Sequence, residues 1–298
     1  AFTALVAATQ GEVPPLAFIN NGGYAETAET IAPTRLTSNV ENIAYPGRVM
    51  KNGQCEIIAT QKRYDPIFSN STWQRLKDAR RARLKRNIAN AQLPRVRRAM
   101  EFLETSRVGD NAFARLIDQL PATYSNNSTE KKVQVAMASF KAGLSVSVNL
   151  SLGGFDTHSM HDKSQSAAIQ NLVSVAYFVM KEAERVGIED KVVLMVGSDF
   201  GRRPFYNEKM GKDHWSVTSM MFMGAGISGG RVIGATDDGF RPRNVNPTTL
   251  ALDDSESGLR ITPAHIHASL RELAGIENHP LALRNEVGES LPLFASPT

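Results

Sequence analysis

Apolar and polar positions change period several times along this chain, and each change predicts an element. Leu16 to Asn20 is a short apolar run, held off helix by Pro14-Pro15 and closed by Asn21-Gly22-Gly23; it predicts a strand and a turn. Val146 to Leu152 and Lys191 to Gly197 are further apolar runs that predict strands. Each runs into a turn that ends in an acid, Gly153-Gly154-Phe155-Asp156-Thr157-His158 in one case and Ser198-Asp199-Phe200-Gly201-Arg202 in the other. Between them Ile169, Leu172, Val173, Ala176, Val179, Met180 and Ala183 recur at helical spacing. That stripe predicts a helix from Ser164 to Val186, ended by Gly187. A helix between two strands implies a parallel pair joined by a right-handed crossover. Ser219 to Gly224 predicts one more strand.

Elsewhere the pattern is mostly helical or irregular. Ala1 to Ala8 reads as the end of a helix. The region near 25–67 carries Pro33, Pro46, Gly47, Gly53 and Pro66 with little periodicity, and reads as a lid or an irregular wrap. A helical region follows over 71–142. Ser71 or Thr72 caps its first helix, Pro94 marks a kink or turn, Asp110 opens a helix ending near Pro121, and Thr129-Glu130 opens an apolar helix stopped at Gly143. Gly224 to Gly258 is Gly- and Asp-rich surface. Thr262-Pro263 is a cap and first-turn pair for a helix to Ala274, and the tail after Asn278 wraps the surface.

The 298 residues, 42% of them hydrophobic, suit one large α/β domain or two modest ones, and the chain is read as one. No apolar stretch reaches the length of a membrane span, and the single Cys55 excludes an internal disulfide. The net charge of +4 is concentrated: ten basic residues and one acid, Asp78, lie between Arg75 and Arg98. A helix there has a wide basic face, centred on Arg80, Arg81, Arg83 and Lys85. It reads as a solvated surface or as a docking face for a polyanion or an acidic partner. No interleaved aromatics or nucleic-acid module accompany it, so no specific nucleic acid is expected.

The chemistry gathers after the two apolar runs. On an extended backbone Asp156 and His158 project to the same side, and His161 reaches the same locus from a first helical turn. Asp156 also fits a helix N-cap. Asp199, at the end of an apolar run, needs a partner or a metal. It fits either a structural pair with Arg202 or Arg203, or a metal ligand with Arg202 as an anion clamp. Asp213-His214 adds an adjacent acid and imidazole, one able to ligate while the other orients, with Trp215 as a wall. His265 and His267 read as structural, and the methionines from Met210 to Met223 as core filler. No phosphate-binding loop, dinucleotide fingerprint or nucleophile elbow is present.

Taken in order, the Asp156 turn, the Asp199 turn and Gly211-Lys212-Asp213-His214-Trp215 resemble the signature of the DUF1501 family. Agreement continues at Thr262 to Leu270 and at Pro15 to Tyr24. The resemblance implies an alkaline-phosphatase-like and sulfatase-like fold: α/β, with a mainly parallel sheet flanked by helices. Residues 1–298 would be the C-terminal portion of such a domain, without its N-terminal strand or strands. It also implies export by the twin-arginine route, hence a periplasmic or secreted location. A divalent metal (zinc, calcium or magnesium) is implied, with Asp156 and His158 holding one ion, Asp199 another, and Asp213 with His214 forming the later ligand set. Arg202 is then catalytic, balancing charge on the transferring group.

Two departures from the family stand out. Asp199 stands where Glu is more frequent. The family's early turn, which supplies a first acidic ligand ahead of the nucleophile, has no counterpart here. An N-terminal segment or a second chain is therefore expected to complete the sheet. The function expected is hydrolysis of an anionic phosphate or sulfate ester, incomplete and weak in this chain alone. The rival is a non-catalytic exported binding or assembly protein that keeps the fold.

Overall fold

The computed structural model describes residues 2–22, 27, 30–36, 48–51, 54–57, 69–94, 96–97, 100–101, 103–104, 115–284 and 287–294. The chain divides into two compact units, the first built chiefly from residues 10–150 and the second from 151–298, with Phe2 and Ala4–Thr9 belonging to the second. In chain order the elements are α1 (Phe2–Ala8), β1 (Phe18–Asn20), β2 (Arg48–Lys51), β3 (Gln54–Ile57), α2 (Asn70–Asn90), α3 (Ser128–Lys141) and β4 (Ser147–Asn149). They continue with α4 (His161–Val186), β5 (Val193–Val196), β6 (Gly201–Arg202), β7 (His214–Trp215), β8 (Met221–Gly224) and α5 (Pro263–Leu273).

In the first unit β1 pairs parallel with β4, Ile19 opposite Val148. Ile19 also bridges Thr34, whose N–H donates to the Phe18 carbonyl. Leu16, Ile19, Leu36, Leu116, Tyr124, Val135, Ala138, Ala142 and Leu144 form a core cluster, with Leu120 and Val148 at its margin. Ile19, Leu116 and Leu144 are fully buried, each stabilising by about 1.5–3 kcal/mol. Helix α3 is capped by Asn127, whose side chain accepts from Thr129 and Glu130 N–H. It ends before Gly143, at φ +68, a left-handed exit that glycine allows. Helix α2 starts two or three residues earlier than its sequence signals: Ser69, not Ser71 or Thr72, is the cap. Its basic residues Arg80, Arg81, Arg83 and Lys85 are exposed while Leu84 is buried. β2 and β3 form an antiparallel hairpin within the stretch expected to be irregular. Residues 27 and 30–36 of that stretch are also described, the remainder lies outside the described residues, and so do 110–114, the start of the helix expected from Asp110.

The expected mainly parallel sheet is not the architecture. Among the described residues the strands form four separate two-stranded sheets, one parallel and three antiparallel. The run Val146 to Leu152 yields only three strand residues. Its polar Asn149 and Ser151, followed by two glycines, provide no apolar face to extend. β5 does not pair with β4, so the crossover rule, which governs strands of one sheet, has no purchase. It pairs antiparallel with β8, with Val193 opposite Gly224. Val193 and Met195 are exposed, unlike the fully covered strands of a parallel sheet. The stripe on α4 is also displaced: Ala168, Val175, Ala176, Val179, Ala183 and Val186 are buried, whereas Ile169, Val173 and Tyr177 are exposed. The methionines expected as filler are partly on the surface, Met210 and Met221 among them.

Among the described residues the second unit has apolar clusters of its own. Leu5, Ile276 and Ala282 form one, and Leu250, Leu291 and Leu293, backed by Ile261 and Ile266, another. Helix α5 begins as its sequence predicts, at Thr262-Pro263, with the His265 ring closing the capping box by accepting from Thr262 N–H.

Gly224 sets the β5–β8 pairing. Its φ is +109, and a Cβ there would lie 2.0 Å from the Val192 carbonyl oxygen. Gly224→Ala is expected to lower stability by about 1–3 kcal/mol through backbone strain and overlap. Urea unfolding checks it, and an unchanged midpoint contradicts it.

Candidate metal centre

Three short backbone pairings in the second unit assemble the side chains of the candidate site. The first is β6–β7, which sets Arg202 directly opposite His214 and Gly201 opposite Trp215. A Cβ on Gly201 would fall 1.9 Å from the Val217 carbonyl oxygen, so the pairing needs glycine. The second joins 157–161 to 209–212. Lys212 N–H donates to the Thr157 carbonyl, Met160 N–H to Lys209 and His161 N–H to Met210. Gly211 makes this possible, because a Cβ there would overlap the His158 carbonyl carbon at 1.9 Å. The third is Arg203 N–H to the Asp213 carbonyl. Asn207 pins the loop between them. Its amide donates to the His158 carbonyl and to Asp213 Oδ1, and its oxygen accepts from Lys209 and Gly211 N–H.

The result is a triangle of ligand atoms. Asp156 Oδ1 lies 3.0 Å from His158 Nε2 and 3.3 Å from His214 Nε2, and the two Nε2 atoms are 3.1 Å apart. Tetrahedral zinc with bonds of about 2.0–2.1 Å sets neighbouring ligand atoms roughly 3.3–3.4 Å apart, so the triangle has the dimensions of one face of such a site. Two imidazoles and one carboxylate suit zinc better than calcium or magnesium, which take oxygen ligands. The second nitrogen of His158, Nδ1, lies 3.1 Å from Asp213 Oδ1. An ionised Asp213 accepts only, so Nδ1 carries the proton and Nε2 presents its lone pair to the triangle. All three side chains are at least 46% exposed, which leaves the outer face open to a further ligand. A cleft of about 540 Å³ adjoins Asp156, lined also by Gly154, Thr157, Ser164, Ala168 and Asn171.

Arg202 stands behind the triangle and is only 11% exposed. Its Nη2 donates to Asp156 Oδ1 at 2.7 Å and to the Phe155 carbonyl, and its Nη1 donates to the Lys212 carbonyl. Arg202 bonding, then the His214 hydrogen bond, holds the Asp156 carboxyl below its ordinary range. Asp213 is likewise lowered, by His158 first and Asn207 second. His161, the first residue of α4, bonds Thr157 Oγ1 through Nδ1 at 2.7 Å, and burial lowers its pKa.

The structure thus brings Asp156, His158 and His214 together, with Asp213 behind His158 and Arg202 behind Asp156. Asp199 is exposed and is not part of the cluster. Arg202 pairs with Asp156, so a pair between Asp199 and Arg202 is not formed. Asp156 does not cap α4 either; Met160, at φ +46, occupies that position without a side-chain bond. Trp215 is engaged elsewhere, donating to the Phe240 carbonyl. Sequence reasoning missed Asn207 and Phe200. Asn207 sits in a polar loop whose only signal is Gly four residues on.

Helices and short two-stranded sheets, with a candidate metal centre on the loops of the second unit, define the class of protein this is. The chain belongs to the DUF1501 family, described as a protein of unknown function, which matches residues 32–285. All three site motifs lie inside that span, whereas Pro15 to Tyr24 lies outside it. No curated protein and no solved structure matches the chain.

The folded Asp156 value lies below the ordinary 3.8. Its contribution to stability is therefore complete above the unfolded value and is lost as pH falls through the folded one. Carboxyl-carbon NMR is expected to place the Asp156 midpoint below 3.8, and Arg202→Met to move it upward. A midpoint at or above the ordinary value in the unaltered protein contradicts this electrostatic picture.

Proposed function

We propose that Asp156, His158 and His214 hold one divalent ion, zinc by ligand type, and that the site hydrolyses a phosphate or sulfate ester. The observation that carries the reading is the convergence of three potential ligand atoms. A carboxylate oxygen and two imidazole nitrogens lie 3.0–3.3 Å apart, and such atoms repel unless a cation or protons lie between them. The Asp213 bond to His158 is the carboxylate–histidine arrangement that orients metal-binding imidazoles. The choice of ester chemistry rests on the resemblance of the three motifs to the DUF1501 signature and on the kinship to alkaline phosphatases and sulfatases which that resemblance implies.

A metal held there supplies a Lewis acid that polarises the ester oxygens and lowers the pKa of a water. The chain's own residues do the rest. Asp156 gives the site its negative charge, His158 and Asp213 fix the tautomer, and Arg202 sets a positive charge beside the position of an anionic group. Arg203 and Lys212 on the adjoining segments add to a local field that attracts anions.

A binding or assembly role without catalysis is the second reading, and one observation favours it. Thr157, the hydroxyl between the ligands in sequence, is buried and bonded to His161 and Gln165 rather than presented to a substrate.

Metal content and turnover decide together. The purified protein reloaded with zinc is expected to retain about one ion per chain and to release nitrophenol from an aryl phosphate or sulfate. Chelation and Asp156→Ala should each abolish that release. Turnover that survives either treatment contradicts the hydrolase reading, and stoichiometric zinc without turnover of either ester selects the binding reading.

A further inference from the structure

We propose that Phe200 is the positioning residue for His214, a role that rests on the metal reading of the site. The two imidazoles of the triangle are held by different means. His158 is oriented through Nδ1 by Asp213, which Asn207 in turn holds. His214 uses Nε2 toward Asp156 and His158, and among the described residues no hydrogen bond orients its Nδ1. Its ring plane is set instead by stacking: the Phe200 ring lies 3.8 Å away, centroid to centroid, at an interplanar angle of 19°. Phe200 also carries the Arg202 guanidinium 5.3 Å from its ring centroid. One aromatic side chain therefore backs both the second imidazole and the cation that holds the carboxylate.

The chain makes this possible through β6 and β7. Phe200 immediately precedes Gly201, and β6 pairs with the strand that bears His214. The imidazole of an exposed residue otherwise turns freely about its last torsion. A flat hydrocarbon face stacked on it removes that freedom without a proton-bearing partner. The consequence is an unequal pair of ligands, one tuned by charge and one fixed by packing. Substituting Phe200 should loosen the metal without altering the His158–Asp213 arm.

The test compares Phe200→Leu, of similar bulk but not flat, with Phe200→Trp, which restores a stacking face. In the metal-free protein, NMR of the imidazole carbon-bound protons reads the stack directly. An upfield ring-current shift at His214 is expected in the unaltered protein and in Phe200→Trp, and its loss in Phe200→Leu. Cobalt(II) then serves as a spectroscopic probe of the site. Phe200→Leu should bind it about tenfold more weakly or worse, on the scale seen when orienting partners of metal ligands are removed, with altered visible bands and an unchanged thermal melt. Phe200→Trp should recover both affinity and bands.

Equal cobalt affinity and spectra for the unaltered protein and Phe200→Leu overturn the role of Phe200. Failure of the unaltered protein to bind cobalt, with the His214 ring-current shift present, overturns the metal reading instead and leaves the stack as a packing contact only.

Discussion

The close approach of Gly211 to the His158 carbonyl is the constraint on which the candidate site depends. Two loops far apart in sequence touch there at backbone level, with no room for even one methyl group. That contact lets Lys212 N–H reach the Thr157 carbonyl and His161 N–H the Met210 carbonyl across the loops, and it sets Asp213 beside His158. The β6–β7 pairing, equally dependent on Gly201, then delivers His214 and Arg202 to the same place. Side chains that form the triangle are exposed, but the backbone beneath them is locked by close approach and paired amides. Sites built on such rigid support hold their geometry better than sites on free loops.

Charge is organised around the triangle in a definite order. Asp156 is the most exposed of the three, yet it is the group toward which both imidazoles and the guanidinium point. Arg202 is nearly buried, and its guanidinium bonds Asp156 and two carbonyls and lies 3.5 Å from His158 Nε2, so its charge is fixed in position rather than mobile. Asp213 is remote from the triangle's centre and acts on it through the His158 ring. The arrangement separates the atoms that could bind a cation from those that orient them, a division common to metal centres.

The side chains of the candidate site were largely readable in the sequence, and much of the architecture was not. Acids and imidazoles placed just after apolar runs pointed to Asp156, His158 and His214. The spacing of Thr262, Pro263 and Gly275 marked α5 almost to the residue. The sheet could not be read the same way. Short runs such as Val193 to Val196 look alike in a buried parallel sheet and in an exposed antiparallel pair, and only the partner decides. The α4 stripe shows the same limit: Ile169 and Val173 fit the helical period as well as Val175 and Val186 do, and burial chose the latter. The separate tasks of Asp213 and Asp199 were invisible for another reason. A carboxylate near an apolar run looks the same in sequence whether it binds, orients a neighbour or stands free. Asn207 and Phe200 carry no chemistry of their own, and their roles exist only through the groups they touch.

The central claim is that two imidazoles and one carboxylate of this chain share one ion. Zinc-edge X-ray absorption on the zinc-loaded protein tests it most directly. The account predicts a first shell of nitrogen and oxygen at about 2.0–2.1 Å, with the outer-shell scattering of two imidazole rings, one of which is lost in His214→Ala. A zinc shell without imidazole scattering, or with the same scattering after that substitution, would contradict it.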